Sequence, residues 1–402
     1  MTAPNRASVA APEGPATGPA WSAGAGFSAA PGAAEATRAA CEQALGGAIG
    51  RADAALLFAG PAHRDDADRL VATAREVLGT ETIVGSLAHG VLGAGQELEG
   101  GAGVSVLAVQ GLHAEPLWLA DLAGHEDLAA DEVRAGLTRD PRPEDLVVLI
   151  PDPRALDPDA LLGAVREAAG PALVVGAGAG DPISEAPLLW SARELDVGGL
   201  AGLVLRGARR ARVGVTQACR PVTELLTVTK AQGPWVLELE GRPALDAFRE
   251  AAGPALADDL ARAAQFTFAA LPRDPAAPLA PGGYLVRNIA GLAPDANAFA
   301  IPGMLEKGDS LAFVHREPET ARDDLKAVLA GLAEEPPGLA LYFDCCARGA
   351  GFFGVPGLEA AYLEQAFGAA PVAGMFGSCE LGPIGGRPEL LTYTGVVALL
   401  DA

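Results

Sequence analysis

Basic residues are scarce in this chain. Its 29 lysines and arginines stand against 51 aspartates and glutamates, a net charge of −22 over 402 residues. A surface that acidic repels polyanions, so nucleic acid and anionic membrane are excluded as expected partners. Cysteine is also sparse. The five cysteines, Cys41, Cys219, Cys345, Cys346 and Cys379, have the spacing neither of a disulfide framework nor of a zinc site. They read as reduced thiols, and a cytoplasmic location is expected. Aromatic residues make up 5% of the chain. No run of about 18 apolar residues occurs, so no membrane-spanning helix is expected. Residues 1–25 lack the apolar stretch of a signal peptide. Their Pro, Ala, Gly and Ser content predicts a disordered leader. None of the five histidines pairs with another at metal-binding spacing, and neither GxSxG nor HExxH is present.

Apolar residues make up half of the chain, and their arrangement repeats. "ADAALLFAG" is a buried-strand pattern, "RDDADRLVATAREVLG" a helix and "TIVGSLAHGVLG" a second strand. The same order returns as "EDLVVLIPDP", "DPDALLGAVREAAG" and "PALVVGAGAGD". It returns again as "GLALYFDCC", "GLEAAYLEQAFG" and "APVAGMFGSCELG". A further β run follows each set: "GVSVLAV", "LAGLVLRG" and "TYTGVVALL". Each second strand is expected to end in a glycine turn, at Gly85, Gly176 and Gly374. Between the second and third sets lies hairpin and meander material, with a helical run at "RPALDAFREAAGPALADDLARAAQ". The fold class predicted is α/β: two halves with mixed β-sheets covered by helices, built from repeated β-α-β plus returning-strand units. The halves divide near residue 220, with two units in 26–220 and the meander plus the third unit in 221–402.

The loops at the carboxyl ends of the strands are where such sheets bind ligands. There the third unit carries "FDCCARGAGFFG" and "GSCELG". If its two strands are parallel neighbours, Arg348 and Glu380 project from one rim. An arginine fork suits a carboxylate and a glutamate suits an amine, so together they would hold a zwitterion. The alternative is a salt bridge between the two that closes the rim. Cys345, Cys346 and Cys379 admit three readings: small core residues, a reactive thiol at Cys345, or ligands of a metal or haem. A thiolate at Cys345 would draw on Arg348 and on the backbone N–H groups of the glycine-rich turn. "VVGAGAGD" lacks the spacing of a dinucleotide fingerprint. His89 is the histidine best placed to hold a haem.

Taken together, "TQACRPVTELLTVTKAQGPWVLELEGRPALDAF", "YLVRNIAG", "FDCCARG" and "GMFGSCELGPIGG" resemble the FIST (F-box and intracellular signal transduction) domain family, with an N-terminal and a C-terminal FIST domain from about Trp21 onwards. The resemblance implies a sensory input domain that binds small ligands such as amino acids. It adds Arg287 and Asn288 of "RNIAG" to Arg348, Glu380, Cys345 and Cys379 as expected ligand-binding residues. Some members resemble haem-containing gas sensors, which makes haem the one cofactor implied; none is otherwise expected. No kinase, cyclase or F-box segment is recognisable, so action through a separate signalling protein is implied. A cysteine-dependent enzyme using Cys345 is the rival expectation.

Overall fold

The computed structural model describes residues 21–46, 49–138, 140–155, 157–180 and 186–402. Three strands, Ala54–Ala59, Leu146–Pro151 and Leu339–Cys345, are buried along their whole length. Side chains alternate across a strand, so each strand feeds two cores. Leu56, Phe58, Val148, Ile150, Leu341 and Phe343 point into one central core shared by all three units. Phe58 and Phe343 meet there edge to face, with ring centroids 6.2 Å apart. The alternate residues, such as Leu57, Leu149 and Tyr342, face outward into separate layers covered by helices.

Each of these strands runs parallel to the second strand of its unit. The partners are Ile83–Leu87, Leu173–Ala177 and Val372–Gly377. The crossovers carry the helices Ala67–Leu78, Pro158–Ala169 and Leu358–Phe367. At the second crossover, Pro158 opens the helix and Asp157 caps it, accepting from the backbone N–H of Asp159 and Ala160. The returning strands Val104–Gln110, Leu200–Arg206 and Thr394–Asp401 pair antiparallel on the other side. Outer strands Ser22–Ser28, His113–Leu119 and Arg210–Gln217 complete that side.

The remaining edge of each sheet is closed by a hairpin from a different unit. Gly90–Gly93 and Gln96–Glu99 of the first unit join the sheet of the third. Leu188–Ser191 and Glu194–Val197 of the second join the first. Glu380–Ile384 and Arg387–Leu391 of the third join the second. The result is three six-stranded sheets of one strand order, locked in a cycle of exchanged hairpins. Every hairpin covers an edge that would otherwise expose unpaired backbone groups.

The third unit differs by an insertion. Its outer strand and its helix Pro318–Leu332 are separated by residues 218–317, where the other two units use 29–32 and 120–125. The insertion forms a nine-stranded sheet. Phe248, Phe299 and Phe313 pack in its core at centroid spacings of 5.6 to 6.0 Å. The outer strand Arg210–Gln217, just before this module, already belongs to the third sheet.

Three expectations need correction. Residues 22–25, assigned to a leader, belong to an outer strand, while residues 1–20 lie outside the described residues. The helical run after Arg242 is broken at Gly253, which has φ +79° and separates Ala244–Ala252 from Leu260–Ala263. Gly85, Gly176 and Gly374 are not turns. They lie inside their strands, where an added Cβ would come within 1.8 to 1.9 Å of the carbonyl oxygens of Leu57, Leu149 and Tyr342. Among the described residues, no helix is long and apolar enough to cross a membrane.

Candidate functional site

The strand Leu339–Cys345 carries Tyr342 and Asp344 on its helix-facing side, and the chain then turns to place Arg348 beside them. Glu359, in the first turn of Leu358–Phe367, completes the group. The Nη2 of Arg348 donates to Glu359 Oε1 at 2.6 Å, and its Nε lies 3.0 Å from Asp344 Oδ1. The hydroxyl of Tyr342 donates to the same Glu359 oxygen at 3.0 Å. Arg348 is 0% exposed. Burial opposes its charge, but Glu359, Tyr342 and Asp344 more than offset that and hold its pKa well above the ordinary value. Burial, and then the charge of Glu359, push the Asp344 carboxyl far up.

Glu380 is reached by another route. It opens the exchanged hairpin, paired between Ala177 and Leu391. Its Oε2 accepts from the Thr394 hydroxyl at 2.7 Å and from the Thr394 N–H at 3.2 Å. Burial and the neighbouring Cys345 raise its pKa well above the carboxylate range. The salt bridge between Arg348 and Glu380, the alternative to a ligand site, is therefore absent. Arg348 pairs with Glu359 and Asp344, and Glu380 with Thr394, because the helix after the loop brings its own acid to the arginine.

The loop over this cluster is pinned by the hairpin lent from the first unit. Glu99 accepts from the N–H of Ala350 at 2.5 Å. Glu97 accepts from Gly357 at 2.6 Å and from Ala360 at 3.0 Å. The backbone donors expected to favour a Cys345 thiolate are thus partly taken by acids. A hydrogen bond with Cys346, and then burial, push the Cys345 thiol well up. Burial and Glu380 push Cys379 up to about 12. Cys41, Cys219, Cys345 and Cys379 are buried, and Cys346 is half-exposed. Native protein treated with a water-soluble disulfide reagent is therefore expected to lose one thiol first, Cys346, with the others reacting on denaturation. Peptide mapping that found Cys345 labelled first would overturn this reading of the thiols.

Arg287 and Asn288 stand on the inserted module and meet the third unit at residues 390–393. Arg287 Nη1 donates to Leu390 O at 3.2 Å, and the Tyr393 hydroxyl donates to Asn288 Oδ1 at 2.7 Å. Thr392 donates to Val286 O at 2.9 Å. The structure thus gathers Cys345, Arg348, Cys379 and Glu380 around the strand ends. It sets Arg287 and Asn288 on the module docked beside them. Glu359, Asp344, Glu97 and Glu99 went unnoticed in the sequence. A lone acid in the apolar run "LALYFDC" four residues before an arginine was the available signal for Asp344.

Two of the imidazoles are engaged by neighbours. His63 Nε2 is bonded to Ala102 O at 2.8 Å, and His315 Nε2 to Thr267 at 3.1 Å. His113 lines a cleft walled by Arg142, Glu144, Asp145 and Arg206, a charged setting rather than an apolar slot. His89 sits in a tight connection where its own N–H donates to Phe376 O. Among the described residues, no three His, Cys, Asp or Glu side chains are grouped to hold a metal ion.

The family model of the FIST N domain matches residues 53–242, and that of the FIST C domain matches residues 244–383. The chain is 30% identical over 381 residues to the uncharacterized protein Rv0628c of Mycobacterium tuberculosis, covering 91% of this chain and 95% of the relative. It is 29% identical over 351 residues to the uncharacterized protein Mb0898c of Mycobacterium bovis, covering 86% of this chain and 89% of the relative.

Proposed function

Because the chain belongs to the FIST family, whose domains are generally signal-transduction sensory domains, we propose that it binds a small molecule, in the first instance an amino acid, and acts through a separate signalling partner. One observation carries the reading. Arg348 Nη1, Asp344 Oδ2, Glu359 Oε2 and Glu380 Oε1 are buried polar atoms without a hydrogen-bond partner among the described residues. A purely structural ion cluster satisfies its atoms. This one leaves a guanidinium nitrogen unpaired, beside acid groups whose remaining contacts are to one another (Asp344 with Glu359) and to Cys345 (Glu380). A ligand carboxylate complements the first, and an ammonium complements the others. The segment 346–357 has the N–H groups of Ala350 and Gly357 held by Glu99 and Glu97, and a ligand would enter by displacing it. Ligand binding that shifts this segment would change the surface offered to a partner. A cytoplasmic site of action belongs to the same proposal, supported by five cysteines that remain free thiols.

A thermal-shift panel of the proteinogenic amino acids, followed by hydrogen exchange with the best binder, tests the proposal. The expected outcome is a raised melting temperature together with altered protection in 346–357. Unchanged melting across the panel, with unchanged protection, sinks the amino-acid reading.

A further inference from the structure

A second, separate feature stands where the inserted module meets the second unit. A cleft of about 240 Å³ is lined by Arg166 from the helix Pro158–Ala169, Arg273 and Arg287 from the module, and Arg387 from the exchanged hairpin. Two carboxylates, Asp159 and Glu389, share it. Arg273 forms an ion pair with Glu389. Arg166, Arg287 and Arg387 have no carboxylate partner among the described residues. Arg166 and Arg387 are exposed at the mouth of the cleft and Arg287 is half-buried, so four arginines face two carboxylates there. Arg287 is the strongest case. It is partly withdrawn from solvent, and among the described residues its side chain hydrogen-bonds from Nη1 to the carbonyls of Val286 and Leu390. Burial lowers its pKa; the carboxylate of Glu389 offsets part of that, and the like charge of Arg273 works the other way. With four arginines against the two carboxylates of the cleft, a partly desolvated guanidinium there gains from any further anion that shares the site.

We propose that this cleft binds a small organic dianion, a dicarboxylate or a phosphate monoester. Arg287 forms the floor, and Arg166 and Arg387 close on the second acidic group. Two acidic groups match the excess of arginines over carboxylates, whereas a monoanion would leave that excess half neutralised. The site draws on three separate stretches of chain, so occupancy would tie the module to the second unit. This inference stands independently of the amino-acid reading, which concerns the cluster around Arg348.

Calorimetric titration of the full chain with succinate, glycerol phosphate, acetate and a neutral diol tests it. One or both dianions are expected to bind at least about tenfold more tightly than acetate, with affinity falling as salt rises. Binding by succinate alone or by the phosphate ester alone supports the proposal and fixes the anion. Arg287→Met and Arg387→Ala are each expected to weaken that binding by about tenfold or more. Arg387 is exposed on the hairpin, so its variant keeps the test valid if Arg287→Met fails to fold. Absence of dianion binding at millimolar concentration overturns the proposal. So does equal binding by the native chain and Arg387→Ala.

Discussion

Replacing Arg348 by alanine is expected to lower the melting temperature steeply, by an amount equivalent to about 3–5 kcal/mol. The magnitude follows from burial. Arg348 is 0% exposed and Glu359 is 1% exposed, so removing the guanidinium leaves the Glu359 carboxylate buried beside Asp344 without a counter-charge. It must then take up a proton or admit water, and either costs stability. Second-site changes identify the partner. Glu359→Gln in the Arg348→Ala background should recover part of the loss, because a neutral amide tolerates the same pocket better than a carboxylate. Glu380→Gln in that background should recover nothing, because Glu380 is held by Thr394. Denaturation midpoints of the single and double variants decide the matter. A rescue by Glu380→Gln, or an Arg348→Ala protein that melts like the native one, would show that the ion network is not what holds this corner.

The same corner shows how much could be read from sequence. The three repeated units were legible because each core strand is a short apolar run bounded by a helix pattern. Those runs are the parallel pairs of the structure. The exchange of hairpins was not legible. "GVLG" and "QELE" pair with each other through local turn chemistry, but their outer partner, Val372–Gly377, lies far along the chain. Nothing in four residues specifies it; the choice is made by which sheet edge is open when the units pack. Glu359 was hidden for a related reason. An acid in the first turn of a helix is ordinary, since it complements the helix dipole, and only its neighbour in space makes it an ion-pair partner. The four arginines of the cleft come from three parts of the fold, with no linear motif to announce them. Arg348 was read as a rim residue because it follows a strand end. The helix packed over that rim turns it into the interior.

The three strand glycines should be among the least replaceable positions in the molecule. Gly85→Ala, Gly176→Ala and Gly374→Ala are each expected to cost about 3 kcal/mol or more, at or beyond the upper end of what overpacking usually costs. In each case the added methyl would stand 1.8 to 1.9 Å from a carbonyl oxygen of the neighbouring parallel strand. A side chain in that position could rotate away; a backbone carbonyl inside a ladder cannot move without breaking the pairing. Gly176 also has φ +153°, a conformation that alanine adopts only with strain. At Gly374 the opposing carbonyl belongs to Tyr342, whose hydroxyl bonds Glu359, so the displacement should reach the ion network as well. Gly163 provides the control. It lies in the helix Pro158–Ala169 with nothing within 4 Å of an added Cβ, and Gly163→Ala should raise stability by about 0.5–1 kcal/mol through helix propensity alone. Denaturant midpoints for the four variants, measured side by side, test the claim. If the three strand variants unfold with the control, close backbone approach is not the reason these units share a glycine at the same place.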